Sequence, residues 1–346
     1  MQNGLHTLST LSIRARELGG SDFLIKGMLH ARSIGLLVGD SGLGKSPLIY
    51  QAGLCVAAGI PFLGRETRQG RVLIADFENG MCDIVDLVER VSRYLGLSKP
   101  PEDFFHLWTL SDCQQRYGQA GNTLLDMLRD VSPTLAIIDS LGSYRPKAEE
   151  LNSDSTIMLQ EFRRLARDCG TAVLLVHHRR KQPRKADESA GPLESANLCQ
   201  WFQDSRGASA LVNGSDTRLG VDLPDVSAAA KDDVSLVLRG FGRIRGEIGP
   251  MYIARDVDEA GDPAGYRLLT GSELLFNPQQ QKALETLGPT FTFKEAKNAY
   301  GRSDQPTTNF LKNCVELQLV RRVARGNYEK ILCARVPGNG ASGERG

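Results

Sequence analysis

The sequence lacks any run of about 18 apolar residues, so it predicts no membrane-spanning helix. Residues 1–6 contain neither a basic segment nor an apolar one, which argues against a secretory signal. Seven cysteines are scattered along the chain without a CxxC pair, and this spacing is atypical of zinc sites and disulfide frameworks. These absences predict a globular, cytoplasmic protein in a reducing environment, with no membrane partner.

A large excess of charge of either sign is also missing, because 42 Lys and Arg stand against 41 Asp and Glu. The balance is nevertheless uneven along the chain. From Asn277 to the end there are eleven basic and six acidic residues, a net charge of +5, and the remainder carries −4. A basic C-terminal part is typical of proteins that bind nucleic acid. A solvated basic surface without a partner is the alternative.

Strand-like segments alternate with helical ones from residue 23 onward. Four apolar strands are predicted at Ile34–Val38, Arg71–Asp76, Leu135–Asp139 and Ala172–His177. Helices are predicted at 48–58, 82–95, 122–131 and 155–169. This alternation indicates an α/β fold with a mostly parallel sheet covered on both faces. Three later strands, at Ser235–Leu238, Met251–Ala254 and Tyr266–Leu269, fit an antiparallel edge of the same sheet.

The C-terminal part has a different pattern, with three short helices followed by a hairpin. This outline predicts a small winged helix-turn-helix domain. In it Lys312, on the third helix, would face the DNA backbone, and Arg321, Arg322 and Arg325 would lie near phosphates or the minor groove. Protein docking is the alternative role. The predicted domains are an N-terminal arm at 1–22, a large α/β domain at 23–275, a winged-helix domain at 276–336 and a disordered tail at 337–346.

A glycine-rich segment follows the first long strand and opens the next helix. Its residues are Gly39, Asp40, Ser41, Gly42, Leu43, Gly44, Lys45, Ser46 and Pro47. In this setting the segment predicts a P-loop, whose backbone N–H groups cradle the β-phosphate of ATP. Lys45 would reach the β- and γ-phosphates, and Ser46 would bind Mg²⁺. Pro47 has no N–H, so one donor that commonly faces the α-phosphate is missing.

Acidic residues and a histidine pair follow the other parallel strands. Asp139 would hold Mg²⁺ through water, or else would cap a helix. Glu78 is the preferred base for activating water, and Asp76 is its competitor. His177 and His178 end the next strand, where one of them would sense the γ-phosphate. A metal site and a merely structural histidine are the alternatives.

Six segments in chain order resemble RecA-like ATPases of the hexameric, RepA-like plasmid helicase group. They are GDSGLGKS, VLIADFENG, LAIIDS, VLLVHH, RGASALV and RIRGEIGP, and they span about residues 23–270. The first and third segments occur in P-loop ATPases generally, and the last three narrow the resemblance to the RepA-like group. The resemblance implies that Glu78 is the catalytic base and that His178 is the γ-phosphate sensor.

The same resemblance implies a ring, a hexamer as in the group, in which arginines reach the nucleotide of the neighbouring subunit. Arg206, Arg243 and Arg245 are the candidate fingers, although relatives often have lysine where this chain has Arg243. Surface or salt-bridged arginines are the alternative. The basic run Arg179–Lys185 would form a pore loop on single-stranded DNA, or else an ordinary solvated loop.

These features together lead us to expect a ring-forming, ATP-driven DNA helicase or translocase of a plasmid, phage or similar mobile element. A RecA-like ATPase that binds DNA without unwinding it, such as a replication initiator or a regulatory switch, is the second hypothesis. A kinase with the same phosphate loop is the third, and it would leave the arginines and the basic C-terminal part without a role.

Overall fold

The computed structural model describes residues 6–17, 22–109, 124–179, 193, 195–203, 209–224, 235–244, 246–269, 278–316 and 319–331. The chain divides into two compact units, Met1–Leu269 and Thr270–Gly346. In the first unit the strands are β1 Phe23–Ile25, β2 Leu29–His30, β3 Ile34–Gly39, β4 Val72–Asp76, β5 Phe105–Thr109, β6 Leu135–Asp139, β7 Ala172–His178, β8 Thr217–Asp222, β9 Ser235–Gly242, β10 Glu247–Val257 and β11 Pro263–Leu268.

The helices of the first unit lie between these strands. They are α1 Leu8–Glu17, α2 Lys45–Ala58, α3 Met81–Tyr94, α4 Leu124–Val131, α5 Leu141–Tyr144, α6 Pro146–Glu150, α7 Asn152–Cys169, α8 Leu198–Gln203 and α9 Ser209–Gly214. Helix α1 lies within the predicted N-terminal arm, and its ten residues are exposed. None of the helices in the described part of the chain has the length and apolar character needed to cross a membrane.

Nine strands of the described chain form one sheet in the order β11-β10-β9-β8-β3-β7-β6-β4-β5. The six strands from β8 to β5 are parallel. Strands β9, β10 and β11 extend the sheet in antiparallel fashion. The predicted α/β fold with a mostly parallel sheet and an antiparallel edge is therefore confirmed. Strand β7 lies between β3 and β6, so it separates the phosphate-loop strand from the strand that carries Asp139.

The parallel strands are apolar on both faces because helices cover both faces. In β3, Leu37 packs in one apolar cluster, whereas Leu36 and Val38 pack in the other. Helix α3 contributes Ile84, Leu87, Val88 and Val91 to the first cluster. These four residues follow the spacing of one helical face. The core thus holds the carboxyl ends of the parallel strands in register at one edge of the sheet.

Two strands of the sheet, β5 and β8, are absent from the sequence predictions. Strand β5 is the outermost strand and alternates only weakly between apolar and polar residues. Strand β8 contains Arg218 and Gly220, which weaken a strand signal. Arg218 is nevertheless buried, because its Nε donates to the Val212 carbonyl at 2.6 Å and its guanidinium lies 4.9 Å from the centroid of the Phe241 ring.

In its described residues the second unit contains three helices and three strands. They are α10 Pro278–Thr286, β12 Thr290–Thr292, α11 Phe293–Tyr300, α12 Asp304–Glu316, β13 Val320–Ala324 and β14 Asn327–Lys330. The strands form an antiparallel sheet in the order β12-β14-β13. The predicted hairpin is present, and Gly326 turns it with φ +78°. The winged-helix interpretation stays a prediction. The predicted tail at 337–346 lies outside the described residues.

Candidate nucleotide-binding site

The predicted phosphate loop connects β3 to α2, as its sequence requires. Gly42 and Gly44 have φ angles of +82° and +83°, in the left-handed region that favours glycine. At Gly44 a side chain would also overlap the hydroxyl of Tyr266. Helix α2 begins at Lys45, so the N–H groups of its first turn face the loop. The loop therefore has the local geometry of an anion cradle.

Lys45 is buried beneath this loop and is surrounded by acceptors. Its Nζ donates to the carbonyl oxygens of Gly39 at 3.0 Å and Asp40 at 2.8 Å. The Nδ1 atom of His178 lies 3.3 Å away. Burial lowers the pKa of Lys45, and the carboxylates of Asp139, Glu78 and Asp40 oppose this shift. The ammonium group is thus held at the edge of the loop, beside three acidic residues.

Ser46 and Asp139 lie together beside the loop. The Oγ atom of Ser46 donates to Oδ2 of Asp139 at 2.8 Å. Burial raises the pKa of Asp139 to about 7, and the bond from Ser46 acts against that rise. Two hard oxygens in contact, one of them a buried carboxylate, fit a Mg²⁺ ion. The cap of α5 is Ser140, whose side chain accepts from Ser143 N, so Asp139 does not cap that helix.

Glu78 lies just beyond β4 and accepts three hydrogen bonds. Oε1 accepts from the hydroxyls of Ser140 and Ser143, the latter at 3.1 Å. The Nε2 atom of His178 lies 3.2 Å from the same oxygen. The hydrogen bond with His178 lowers the pKa of Glu78 to about 2 against the effect of burial. The carboxylate is ionised, and its side chain is still 33% exposed.

Asp76, the competing candidate, has a different environment. It is fully buried, and Oδ1 accepts the backbone N–H groups of Glu78 and Asn79, each at 2.9 Å. Oδ2 accepts from the Tyr50 hydroxyl at 2.9 Å and from Asn79 Nδ2 at 2.8 Å. Four donors occupy this carboxylate, so it holds the turn after β4 rather than facing solvent. The geometry favours Glu78 over Asp76 as the base.

The two histidines separate clearly in space. His177 is buried in the sheet, whereas His178 reaches the site. His178 contacts Lys45 through Nδ1 and Glu78 through Nε2, so it links the two candidate catalytic groups. This link arises because β7 lies between β3 and β6. The strand pattern alone does not distinguish the two side chains, whereas the pleat of the strand directs them to opposite faces of the sheet.

Further residues line a cleft of about 380 Å³ beside the phosphate loop. Arg90 comes from α3, and Arg255 and Pro263 come from β10 and β11. None of them was predicted from the sequence as part of the site; Arg255 and Pro263 lie more than 200 residues from the loop, so no local pattern connects them to it. Ser140, the last residue of the segment LAIIDS, and Ser143 both donate to Glu78, and neither was predicted to do so.

One family model matches the part of the chain that holds most of this site. Residues 15–184 match the family model described as AAA domain. The matched segment contains the phosphate loop, Glu78, Asp139 and His178. No curated protein matches the chain. A solved KaiC-like protein from the hyperthermophilic archaeon Pyrococcus horikoshii is similar over 71% of this chain and 94% of its own, with 14% identity and a TM-score of 0.43. Membership of the RepA-like helicase group stays a prediction.

The candidate arginine fingers are only partly described. Arg206 and Arg245 lie outside the described residues. Arg243 follows β9, and its guanidinium donates to the carbonyl of Asn213 and lies 4.0 Å from Asp216. In this conformation Arg243 binds its own chain, which is the arrangement of the salt-bridge alternative. Its role as a finger stays a prediction.

The prediction for the basic run after β7 is wrong at its first residue. Arg179 was predicted to begin an exposed loop, yet its side chain is only 4% exposed. Its guanidinium lies 3.3 Å from Asp222 and 4.6 Å from the centroid of the Trp201 ring. An ion pair and an aromatic face from distant segments therefore bury this arginine. The remainder of the run, residues 180–185, lies outside the described residues.

Proposed function

We propose that this chain hydrolyses ATP and that hydrolysis drives a ring-forming DNA helicase or translocase in the replication of a plasmid, phage or other mobile element. The observation that carries the hydrolytic part is the hydrogen-bonded series Lys45–His178–Glu78 beside the phosphate loop. It places a cation for the γ-phosphate and an ionised carboxylate at opposite ends of one histidine. A simple nucleotide-binding domain needs no such base.

Each residue has a defined part in the proposed reaction. Glu78 orients a water molecule and accepts its proton as the water oxygen attacks the γ-phosphorus and ADP leaves. Lys45 balances the charge on the β- and γ-oxygens. Ser46 and Asp139 would hold Mg²⁺, which neutralises phosphate charge when bound. Because this chemistry forms no covalent enzyme intermediate, positioning and charge supply most of the rate.

His178 is well placed to sense the γ-phosphate. A γ-phosphate beside Lys45 would compete for the ammonium group that now contacts His178 Nδ1. The imidazole would then reorient, and its contact with Glu78 would change with it. The next residue, Arg179, is anchored to Asp222 at the end of β8. A movement of His178 would therefore also displace Arg179 and its contact with Asp222 in β8. This arrangement supports coupling between the nucleotide state and the segment after β7.

The proposed DNA contact rests on charge in the second unit. Arg322 and Arg325 are exposed on and after β13, and Lys312 is exposed on α12. Arg321 is less available, because its guanidinium lies 2.7 Å from Glu329. Exposed arginines on a hairpin and a basic residue on the preceding helix suit contacts to a phosphate backbone. We include a winged-helix role for this unit in the proposal.

A single set of measurements tests the proposal. ATP hydrolysis is measured with and without single-stranded DNA, strand displacement is measured on forked DNA, and the mass in solution is measured with ATP. For the wild type we expect DNA-stimulated hydrolysis, unwinding and a nucleotide-dependent hexamer. The Glu78→Gln variant should still form the hexamer but should neither hydrolyse ATP nor unwind DNA. Hydrolysis with nucleotide-dependent DNA binding and no unwinding would replace the helicase by the switch hypothesis. A wild-type protein without ATP hydrolysis contradicts the whole proposal.

A further inference from the structure

The first turn of α2 lacks one of the donors that a phosphate loop normally presents. Helix α2 begins at Lys45, so Pro47 is its third residue. The N–H groups of a first helical turn have no partner within the helix and are free to bind an anion. Proline has no N–H, so position 47 contributes nothing to this set. The loop therefore needs another donor on the side of Pro47, or it holds its ligand less tightly.

A hairpin from the far edge of the sheet is clamped onto this region. The side chain of Gln51 in α2 exchanges two hydrogen bonds with the backbone of Tyr266, at 2.8 and 2.7 Å. The Tyr266 hydroxyl donates to the carbonyl of Gly44 at 2.7 Å. Tyr266 is only 1% exposed. Three hydrogen bonds thus fix β11 to both the phosphate loop and the helix that follows it.

Arg255 lies directly opposite Tyr266 in the pairing of β10 with β11. Its Nη1 lies 4.0 Å from the point where a Cβ on Gly44 would be. It lines the same cleft as Lys45 and Pro47 and is half-buried. Because Tyr266 is clamped, the backbone of its partner Arg255 is held at the rim of the loop.

The guanidinium of Arg255 is available for a ligand. It makes no hydrogen bond or ion pair with any other residue that the structure describes. The nearby arginines are committed, since Arg90 lies 3.3 Å from Asp262 and Arg267 lies 3.3 Å from Asp256. An unpaired, half-buried arginine over an anion cradle is suited to bind an anion.

We propose that Arg255 binds the α-phosphate side of the nucleotide and replaces the backbone donor that Pro47 removes. The inference rests on the proposed nucleotide site and adds a residue to it. A guanidinium offers paired N–H groups that match two phosphate oxygens, and its charge does not depend on pH near neutrality. Arg255 is thus a phosphate ligand supplied by the antiparallel edge of the sheet, and the hairpin becomes part of the binding site.

The first test compares Arg255→Gln with Arg267→Gln, a matched loss of charge on the adjacent strand outside the cleft. Dissociation constants for ATP, GTP and ADP are measured by calorimetry, and folding is checked by thermal unfolding. Loss of a charge-assisted contact predicts affinities about 10- to 100-fold weaker for all three nucleotides in Arg255→Gln. Arg267→Gln should bind as the wild type does. An unchanged affinity, or a loss limited to one base, overturns the inference.

A second test uses Pro47→Ala, which restores the missing N–H at a helical position. In the Arg255→Gln background this change should recover part of the lost affinity, and the recovery should exceed its effect in the wild type. Equal effects in both backgrounds mean that the two positions act independently, and they contradict the replacement. If the wild-type chain binds none of the nucleotides, the proposed function itself fails, and this result is distinct from any outcome for Arg255.

Discussion

Replacing Glu78 by glutamine separates hydrolysis from folding and binding. The amide has the shape of the carboxylate, and its oxygen still accepts from Ser140 and Ser143. It cannot accept a proton from water, so kcat should fall by about 10²- to 10⁴-fold. The carboxylate is partly exposed, and solvent screens its interaction with His178, so the free energy of unfolding should change by no more than about 1 kcal/mol.

Asp76→Asn provides the matched control, because it makes the same chemical change two residues away. Asp76 is fully buried and accepts hydrogen bonds from four donors. The NH₂ group that asparagine introduces would therefore face the donor groups of Tyr50 and Asn79. At least one donor loses its acceptor, which costs about 1–3 kcal/mol of stability. For a unit of this size the loss lowers Tm by about 2–10 °C. Turnover by the folded fraction should stay close to that of the wild type.

Phosphate release, binding of a fluorescent ATP analogue and thermal unfolding are measured for both variants under one set of conditions. We expect Glu78→Gln to bind ATP, to melt near the wild-type temperature and to lose turnover. Asp76→Asn should show the reverse pattern. The assignment of the base is wrong if Glu78→Gln hydrolyses ATP within threefold of the wild type. It is equally wrong if Asp76→Asn loses turnover as severely at an unchanged Tm.

Three other predictions concern the loop and the cysteines. Lys45→Ala should abolish ATP binding in a titration, because the cation under the loop is lost; binding at wild-type affinity would contradict its role. Gly44→Ala should have both a weaker affinity for ATP and a lower Tm. The control Gly96→Ala has φ +71° and open space around it, so it should lose only about 1–2 kcal/mol of stability, as measured by denaturant titration. Burial raises the pKa of Cys55 to about 12. At pH 8 iodoacetamide should therefore modify the exposed Cys82 and spare Cys55, with mass spectrometry of peptides as the readout; equal labelling would contradict this burial.

The raised pKa of Cys55 also fixes the direction of a pH effect on stability. The thiol of the unfolded chain ionises near its usual pKa of about 8.5, whereas the folded thiol stays neutral to higher pH. The contribution of Cys55 is therefore complete below that pH and is lost as pH rises. Denaturant titrations at pH 7 and pH 10 measure it, and Cys55→Ala should show a smaller decrease between the two than the wild type. An equal decrease would assign the pH effect to other groups.

Local features of the sequence were enough to predict the central part of the site. The phosphate loop is contiguous, and its glycines, its lysine and the helix after it act over only a few residues. Glu78, Asp139 and His178 follow apolar strands, and the ends of parallel strands meet at one edge of a sheet. Position in the chain therefore predicts their proximity. The same reasoning failed for Arg179, because its burial depends on Asp222 and Trp201, which no local pattern connects to it.

The sequence by itself determined the parallel α/β sheet, the anion cradle and the residues around it, because strand period, glycine conformation and helix termini are short-range effects. Only the tertiary structure decided that His178 joins Lys45 to Glu78, since this follows from the place of β7 in the sheet. Only it brought Arg255 and Tyr266 to the loop, over more than 200 residues of chain. Such contacts depend on strand order and pairing register, and neither can be predicted from the residues that are close to Arg255 or Tyr266 in the sequence.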